Sequence, residues 1–285
     1  MATVNNGTVT AVAAGTTIIT ATAPDGVKIT CSVTVGKKRL VVGYHYSWQG
    51  QIDVNTMRWD DLTHLLLAFL YVNADGTVFT GNIHNVKQIV EAAHKNDVKV
   101  LASIQHLQTP TFSQVITNHP STLADNVLNY VRKNNLDGFD IDFEDFVNDD
   151  PAIASSLVSF TELIHSKKDP GMIQSCAVHA WDKGYTTKWH EYFDIINIMT
   201  YDFAGPWSAE GPTARFELCV ERDRDIPNND QIDHLNYNGK ATIVKKTEWA
   251  KANNIGGIMI WNVAQDAKSD NESLLKAIES VMHSN

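Results

Sequence analysis

Residues 136–146 read LDGFDIDFEDF and place three carboxylates two residues apart, at Asp140, Asp142 and Glu144. Phe139, Ile141 and Phe143 alternate with them, and Asp137 stands just ahead. In an extended chain successive side chains point to opposite faces, so the three acids share one face and the apolar residues the other. Carboxylates this close cannot all ionise cheaply; at least one keeps a proton to a higher pH. A carboxyl still protonated near neutrality can donate that proton to a leaving oxygen as a general acid. Two other uses are open to the same residues. Acids at a cavity mouth could hold Mg²⁺ or Ca²⁺, and three buried acids could be mere structure, at high desolvation cost.

The elements around these acids decide which way they face. Apolar runs suited to strands occur at 39–46, 63–72, 98–104, 136–142, 172–180, 193–201 and 256–261. Between them lie amphipathic segments at 86–96, 122–134, 152–167, 243–253 and 272–282. Strands alternating with helices predict βα units and a parallel sheet, and near-continuous apolar strands fit a sheet covered on both faces. Seven such units over residues 39–285 suggest an α/β (β/α)8 barrel, for which about 250 residues is typical. An open doubly wound sheet is the competitor, but no GxGxxG or Walker sequence supports it. In a barrel the acids would point inward, with Glu144 last, at the C-terminal mouth where barrel active sites lie. The eighth strand should fall between 201 and 256. That stretch is mostly polar, and FELCVE (216–221) is its best apolar run.

Residues 1–36 differ from the rest. They are rich in Thr, Val and Ala and read as short strands with turns at Asn6-Gly7, Gly15 and Asp25-Gly26. Lys37-Lys38-Arg39 marks a boundary, which divides the chain into 1–36 and 39–285. A half sandwich cannot bury both its sheets, so a hairpin, a short sheet or an arm is expected. The whole chain has 285 residues, 43% hydrophobic and 20% charged, enough for a sizeable core. A net charge of -10 without a basic cluster argues against nucleic acid or an anionic membrane as partner, and no apolar run is long enough to span a bilayer. Cys31, Cys176 and Cys219 are scattered and suggest neither a disulfide framework nor a zinc site. The polar start MATVNNGTVTAV lacks the pattern of an export signal.

DGFDIDFE resembles the DGxDxDxE signature of glycoside hydrolase family 18, the chitinases and related endo-N-acetylglucosaminidases. MTYDFAGPW (199–207) is similar to the family's sixth-strand motif, GGIMIW (256–261) to its eighth strand, GYHY (43–46) to its first and LLLAFLY to its second. The resemblance spans about 39–285. It implies a substrate-assisted retaining hydrolase, outside the two-carboxylate scheme. Glu144 would protonate the glycosidic oxygen and then serve as base for water. Asp142 would hold the substrate's acetamido N–H while that group's oxygen attacks the anomeric carbon, and Asp140 would share a proton with Asp142. Tyr201 would donate to the acetamido oxygen. Trp261 would floor the sugar, with Tyr44, Phe69, Met199 and Asp202 shaping the same pocket. No cofactor and no metal are implied. Residues 1–36 resemble part of a bacterial group-2 immunoglobulin-like module, common in secreted and surface proteins.

Two features depart from the family pattern. Where the family's third strand ends in Ser-x-Gly-Gly, this chain has Ser103-Ile104-Gln105-His106. A seventh strand of the family type is not found, and ERDRDIPNNDQ is a candidate for the junction where a unit was lost. A barrel short of a strand exposes two sheet edges. It could close with seven strands, recruit FELCVE, be covered by the N-terminal segment, or self-associate through the gap. The expected function is hydrolysis of β-1,4 bonds between N-acetylglucosamine residues in chitin or its oligomers. A catalytically weak or inactive glycan-binding protein, an endo-acting enzyme on N-glycans and a metal-dependent phosphodiesterase barrel are the alternatives. Trp48, Trp181 and Trp207 are candidates for outer sugar subsites, while His45, His106 and His179 read as structural. By resemblance the location is secreted or cell-surface.

Overall fold

The computed structural model describes residues 2–12, 15–35, 39–46, 48, 50–81, 83–106, 112–144, 151–181, 189–203, 230–232 and 235–284. The chain divides into two compact units, Met1–Arg39 with the terminal Asn285, and Leu40–Ser284. The first unit holds two antiparallel hairpins. Strands β1 (Ala2–Asn5) and β2 (Thr8–Ala11) turn at Asn6-Gly7, whose φ values of 47° and 79° are those of a tight hairpin turn. Strands β3 (Gly15–Thr22) and β4 (Lys28–Val35) turn at Pro24-Asp25-Gly26, where the Asp25 carboxylate accepts from Val27 N–H. Gly15 opens β3 instead of forming a turn. Ile18, Val27 and Ile29 are exposed, as expected of two-stranded ribbons with little to bury against.

The second unit is built on seven parallel strands: β5 (Leu40–Tyr46), β6 (His64–Val72), β8 (Lys99–His106), β9 (Gly138–Asp142), β10 (Ile173–His179), β11 (Ile195–Met199) and β14 (Gly257–Trp261). From β6 to β11 each pairs with its predecessor in this series, and β14 pairs back onto β5, so the sheet order is β11-β10-β9-β8-β6-β5-β14. A sheet whose last strand lies beside its first is a nearly closed barrel, in keeping with the fold class read from the alternation of elements. The short β7 (Val78–Phe79) runs antiparallel to β6, and β12 (Asp230–Ile232) with β13 (Leu235–Tyr237) forms a separate hairpin. Among the described residues no strand joins β11 to β14. FELCVE, the candidate junction ERDRDIPNN and Trp207 lie outside the described residues.

Helices α1 (Val86–Lys95), α2 (Phe112–Asn118), α3 (Pro120–Lys133), α4 (Pro151–Lys167), α5 (Lys240–Ala252) and α6 (Leu274–Met282) follow the strands. The pattern located five of these. It missed α2, a two-turn helix ended by His119-Pro120, because proline opens the next helix at its first position. Two apolar layers result. On β6, Leu65 and Leu67 join the outer cluster under the helices, while Leu66 and Ala68 join a smaller inner cluster with Tyr44, Leu101 and Met199. On β9 the outward Phe139 and Ile141 are fully buried. Gly138 is required by close packing, since a Cβ there would collide with the Ile173 carbonyl of β10. On β11 the corresponding outward residues, Ile196 and Ile198, are exposed.

Candidate functional site

The barrel register brings small polar residues to the acids. Ser103 of β8 and Ser175 of β10 lie directly beside Asp140, and Ala177 lies beside Asp142. Asp140 is fully buried and accepts from Ser103 Oγ at 2.7 Å, Ser175 Oγ at 2.6 Å and Tyr44 Oη at 2.8 Å. Tyr44 Oη in turn accepts from Asn197 Nδ2 at 3.3 Å. Burial pushes the Asp140 carboxyl up from its ordinary value, and the hydroxyl donors only partly oppose it. The same burial, beside Asp140, raises Tyr44 well above the usual phenol range, so its proton stays in place to donate.

One level higher, Asp142 is 4% exposed. Burial raises its carboxyl well above the ordinary value, and the charges of Glu144 and Asp140 raise it further. Gln105 Nε2, at the end of β8, donates to Asp142 Oδ2 and to Glu144 Oε1, both at 2.8 Å. Asp142 Oδ1 is buried and accepts no hydrogen bond among the described residues. The Glu144 side chain is 40% exposed, and its Oε2 lies 3.9 Å from His179 Nε2. The three acids therefore step outward from a buried, donor-rich position to a solvent-facing one.

Glu144 and Asp142 open onto a cavity of about 320 Å³ at the C-terminal ends of the strands. No Lys or Arg is among the described residues that line it. One wall is aromatic. Phe69 and Trp261 stack at 5.8 Å and 14°, with Trp48 at 6.2 and 6.1 Å from them. Trp48 and Trp261 are 44% and 41% exposed, so large apolar faces are open to a ligand. Non-proline cis peptides join Ala68 to Phe69 and Trp261 to Asn262 at this wall. Met199, Tyr201 and Asp202 complete the far side. Burial, then the charges of Asp142 and Glu144, raise the Tyr201 phenol. Asp202 is exposed and takes a left-handed backbone, φ 61°, which aspartate tolerates better than most residues.

All nine residues picked from the sequence meet here. Eight line the cavity, and Asp140 lies beneath it. Tyr44 contributes its ring to the wall while its hydroxyl is committed to Asp140. Sequence reasoning missed Ser103, Ser175, Asn197 and Gln105. The available signal was a polar residue at inward parity in otherwise apolar strands, KVLASIQH, IQSCAVH and IINIM. His179, read as structural, lines the cavity and stacks on Trp181 at 4.7 Å. Without the two glycines after Ser103, β8 continues to His106, and beyond a register shift at Ala68/Leu70 of β6 Gln105 and His106 pair with Tyr71 and Val72. Among the described residues no group of three or more His, Cys, Asp or Glu is arranged to hold a metal ion, and no helix is long and apolar enough to cross a membrane.

A family model described as glycosyl hydrolases family 18 matches residues 40–222, more than half of the chain. "Chitinase 1" of Aphanocladium album is 26% identical over 186 residues, covering 52% of this chain and 44% of that protein. "Secreted chitinase LysM12" of Penicillium expansum is 29% identical over 203 residues, 61% of this chain and 13% of that protein. The chain thus spans less than half the length of these curated relatives. A crystal structure of a chitinase from Bacteroides thetaiotaomicron superposes with a TM-score of 0.77 at 25% identity, covering 86% of this chain and 96% of that one.

Proposed function

The chain belongs to glycosyl hydrolase family 18, and on that premise we propose that it hydrolyses β-1,4 bonds between N-acetylglucosamine residues, in chitin or its oligomers, with the substrate's own acetamido group as nucleophile. The observation that carries this reading is Asp142 beside Glu144. One carboxyl is buried and pushed up, the other is open to the cavity, and no Lys or Arg lines that cavity among the described residues. Two acids so close, without a counter-cation, retain a proton for a leaving group.

In the proposed reaction Glu144 gives its proton to the glycosidic oxygen as the C1–O bond breaks. The acetamido oxygen attacks C1 and forms an oxazolinium ion. Asp142 Oδ1, the carboxylate oxygen without a hydrogen-bond donor among the described residues, accepts from the acetamido N–H. Asp140, held by three hydroxyls, supplies the charge beneath it. Water then attacks C1 from the side the leaving group vacated and passes its proton to Glu144, so configuration is retained after two inversions. Tyr201, kept protonated, donates to the acetamido oxygen, and Trp261 with Phe69 packs against the sugar face. Met199 and Asp202 close the pocket.

A weakly active or inactive glycan-binding protein is the second reading. It is favoured by the lack, among the described residues, of a strand between β14 and β11, the strand that ends at Met199. Self-association at that place, a secreted or surface location, and descent of residues 1–36 from an immunoglobulin-like module belong to the same proposal. The test is fluorophore release from 4-methylumbelliferyl chitobiose and chitotriose, with Glu144→Gln and EDTA in parallel. Release that Glu144→Gln lowers by about 10²–10⁴-fold and EDTA leaves alone is expected. No release from a folded, monodisperse sample would favour the binding reading, which chitin pull-down then checks.

A further inference from the structure

The amide of Gln105 occupies an unusual place. It lies where the family's third strand has glycine, and it spans the two carboxylates to which the chemistry is assigned. Resting on the reading above, we infer that Gln105 is a positioning residue that orients Asp142 and sets the pH range in which the Asp142–Glu144 pair works.

The geometry is specific. A carboxamide nitrogen carries two hydrogens about 120° apart, so one Nε2 can serve two acceptors at once. Here both acceptors are carboxylate oxygens at 2.8 Å, the distance of a charge-assisted bond. The reverse amide orientation would set a carbonyl oxygen against two carboxylates, so the network itself assigns which atom is nitrogen. With Oδ2 of Asp142 held by Gln105, its Oδ1 is left as the acceptor for a substrate N–H. Gln105 can hold this place because β8 runs on as a strand to His106, with Gln105 paired to Tyr71 of β6 beyond the register shift at Ala68/Leu70. A strand ending in two glycines has no side chain that could do this.

The amide also acts on protonation. Its N–H groups favour ionised carboxylates, opposing the burial that pushes Asp142 up. Among the described residues, the other titratable groups facing the pair are Asp140 on β9, Tyr44 on β5, Tyr71 on β6, His179 on β10, and Tyr201 and Asp202 beyond β11. Cys176 on β10 lies within electrostatic reach of Asp140 and Asp142. None of the described lining residues is Lys or Arg, so Gln105 is the donor that makes short hydrogen bonds to both members of the pair.

The test compares wild type with Gln105→Met, which keeps the volume without N–H groups, and Gln105→Gly, the family's residue. Each is followed by kcat and KM for the fluorogenic chitobioside across pH. Both variants should shift both limbs of the pH profile alkaline by about one unit and lose roughly tenfold in kcat, with KM changed far less. Titration of the Asp142 ¹³Cγ resonance should move in the same direction, and that readout does not depend on turnover. A wild type inactive with every substrate, but with an Asp142 titration that moves in Gln105→Met, would overturn the hydrolase reading and keep the assignment of Gln105. Unchanged pH profiles and an unchanged Asp142 titration in folded variants would overturn the assignment itself. If Gln105→Met does not fold, Gln105→Gly carries the same readouts.

Discussion

Strand β9 has acids at both ends, and the two ends are built on opposite principles. Just before its N-terminal end Asp137 is surrounded by hydrogen-bond donors, the Lys99 ammonium among them. Lys99 Nζ lies at 2.9 Å, His94 Nε2 at 2.7 Å, and Val100 N–H donates at 2.9 Å. Burial tends to push this carboxyl up, but the donors, Lys99 first, bring it below the usual range. At the C-terminal end Asp140 and Asp142 are buried more deeply, receive hydroxyl and amide donors with no Lys or Arg among the described lining residues, and are held above the usual range. The two ends share a strand and a residue type and differ in counter-charge. The lower acid is arranged to favour the folded state. The upper acids are held at a cost in stability and are poised for proton transfer.

The largest effect that sharpens this contrast is expected from Asp142→Asn. Activity on the chitobioside should fall about 10²–10³-fold, the usual loss when a preorganised electrostatic partner is removed. Folding stability should rise by about 1 kcal/mol near neutral pH. The sign follows from linkage. A carboxyl whose folded value is raised stabilises below its unfolded value of about 3.9 and loses that contribution as pH rises through the folded value. The stability gap between variant and wild type should therefore widen with pH, as read from urea midpoints. A variant no more stable than wild type at any pH would break the contrast.

Asp137→Asn should do the reverse. Its lowered folded value gives a contribution present above about pH 3.9 and lost as pH falls through the folded value. The variant should lose about 1–2 kcal/mol at neutral pH, after allowance for solvent at the rim, and converge on wild type upon acidification. Activity per folded molecule should be unchanged. The smallest effect is expected from Lys99→Met, about 0.5 kcal/mol, because Lys99 is half exposed and Asp137 retains Val100 N–H and His94. Thermal melts at low and high salt would check this; a loss above that of Asp137→Asn would show that the lysine acts through other contacts.

Most of the barrel was legible because periodicity is a local property. The seven apolar runs became the seven parallel strands, with ends shifted by one or two residues. The spacing of Asp140, Asp142 and Glu144 was enough to place them on one face, since strand geometry repeats every two residues. The short α2 was missed because a two-turn helix that stops at His119-Pro120 carries too little periodicity to stand out. Ser103, Ser175 and Asn197 were missed for another reason. Each is an ordinary polar residue until a neighbouring strand brings it to a carboxylate or its partner.

The sequence by itself determined which residues alternate, which face carries acid, and which strand delivers Glu144 to an end. Only the tertiary structure decided what each acid meets. Registers between β8, β9 and β10 put two serines on Asp140, and the unbroken end of β8 puts one amide on both Asp142 and Glu144. The physical reason is that a carboxyl's proton affinity depends on desolvation and on charges and donors within a few ångströms. In a parallel barrel those neighbours come from strands about 35 residues away in sequence.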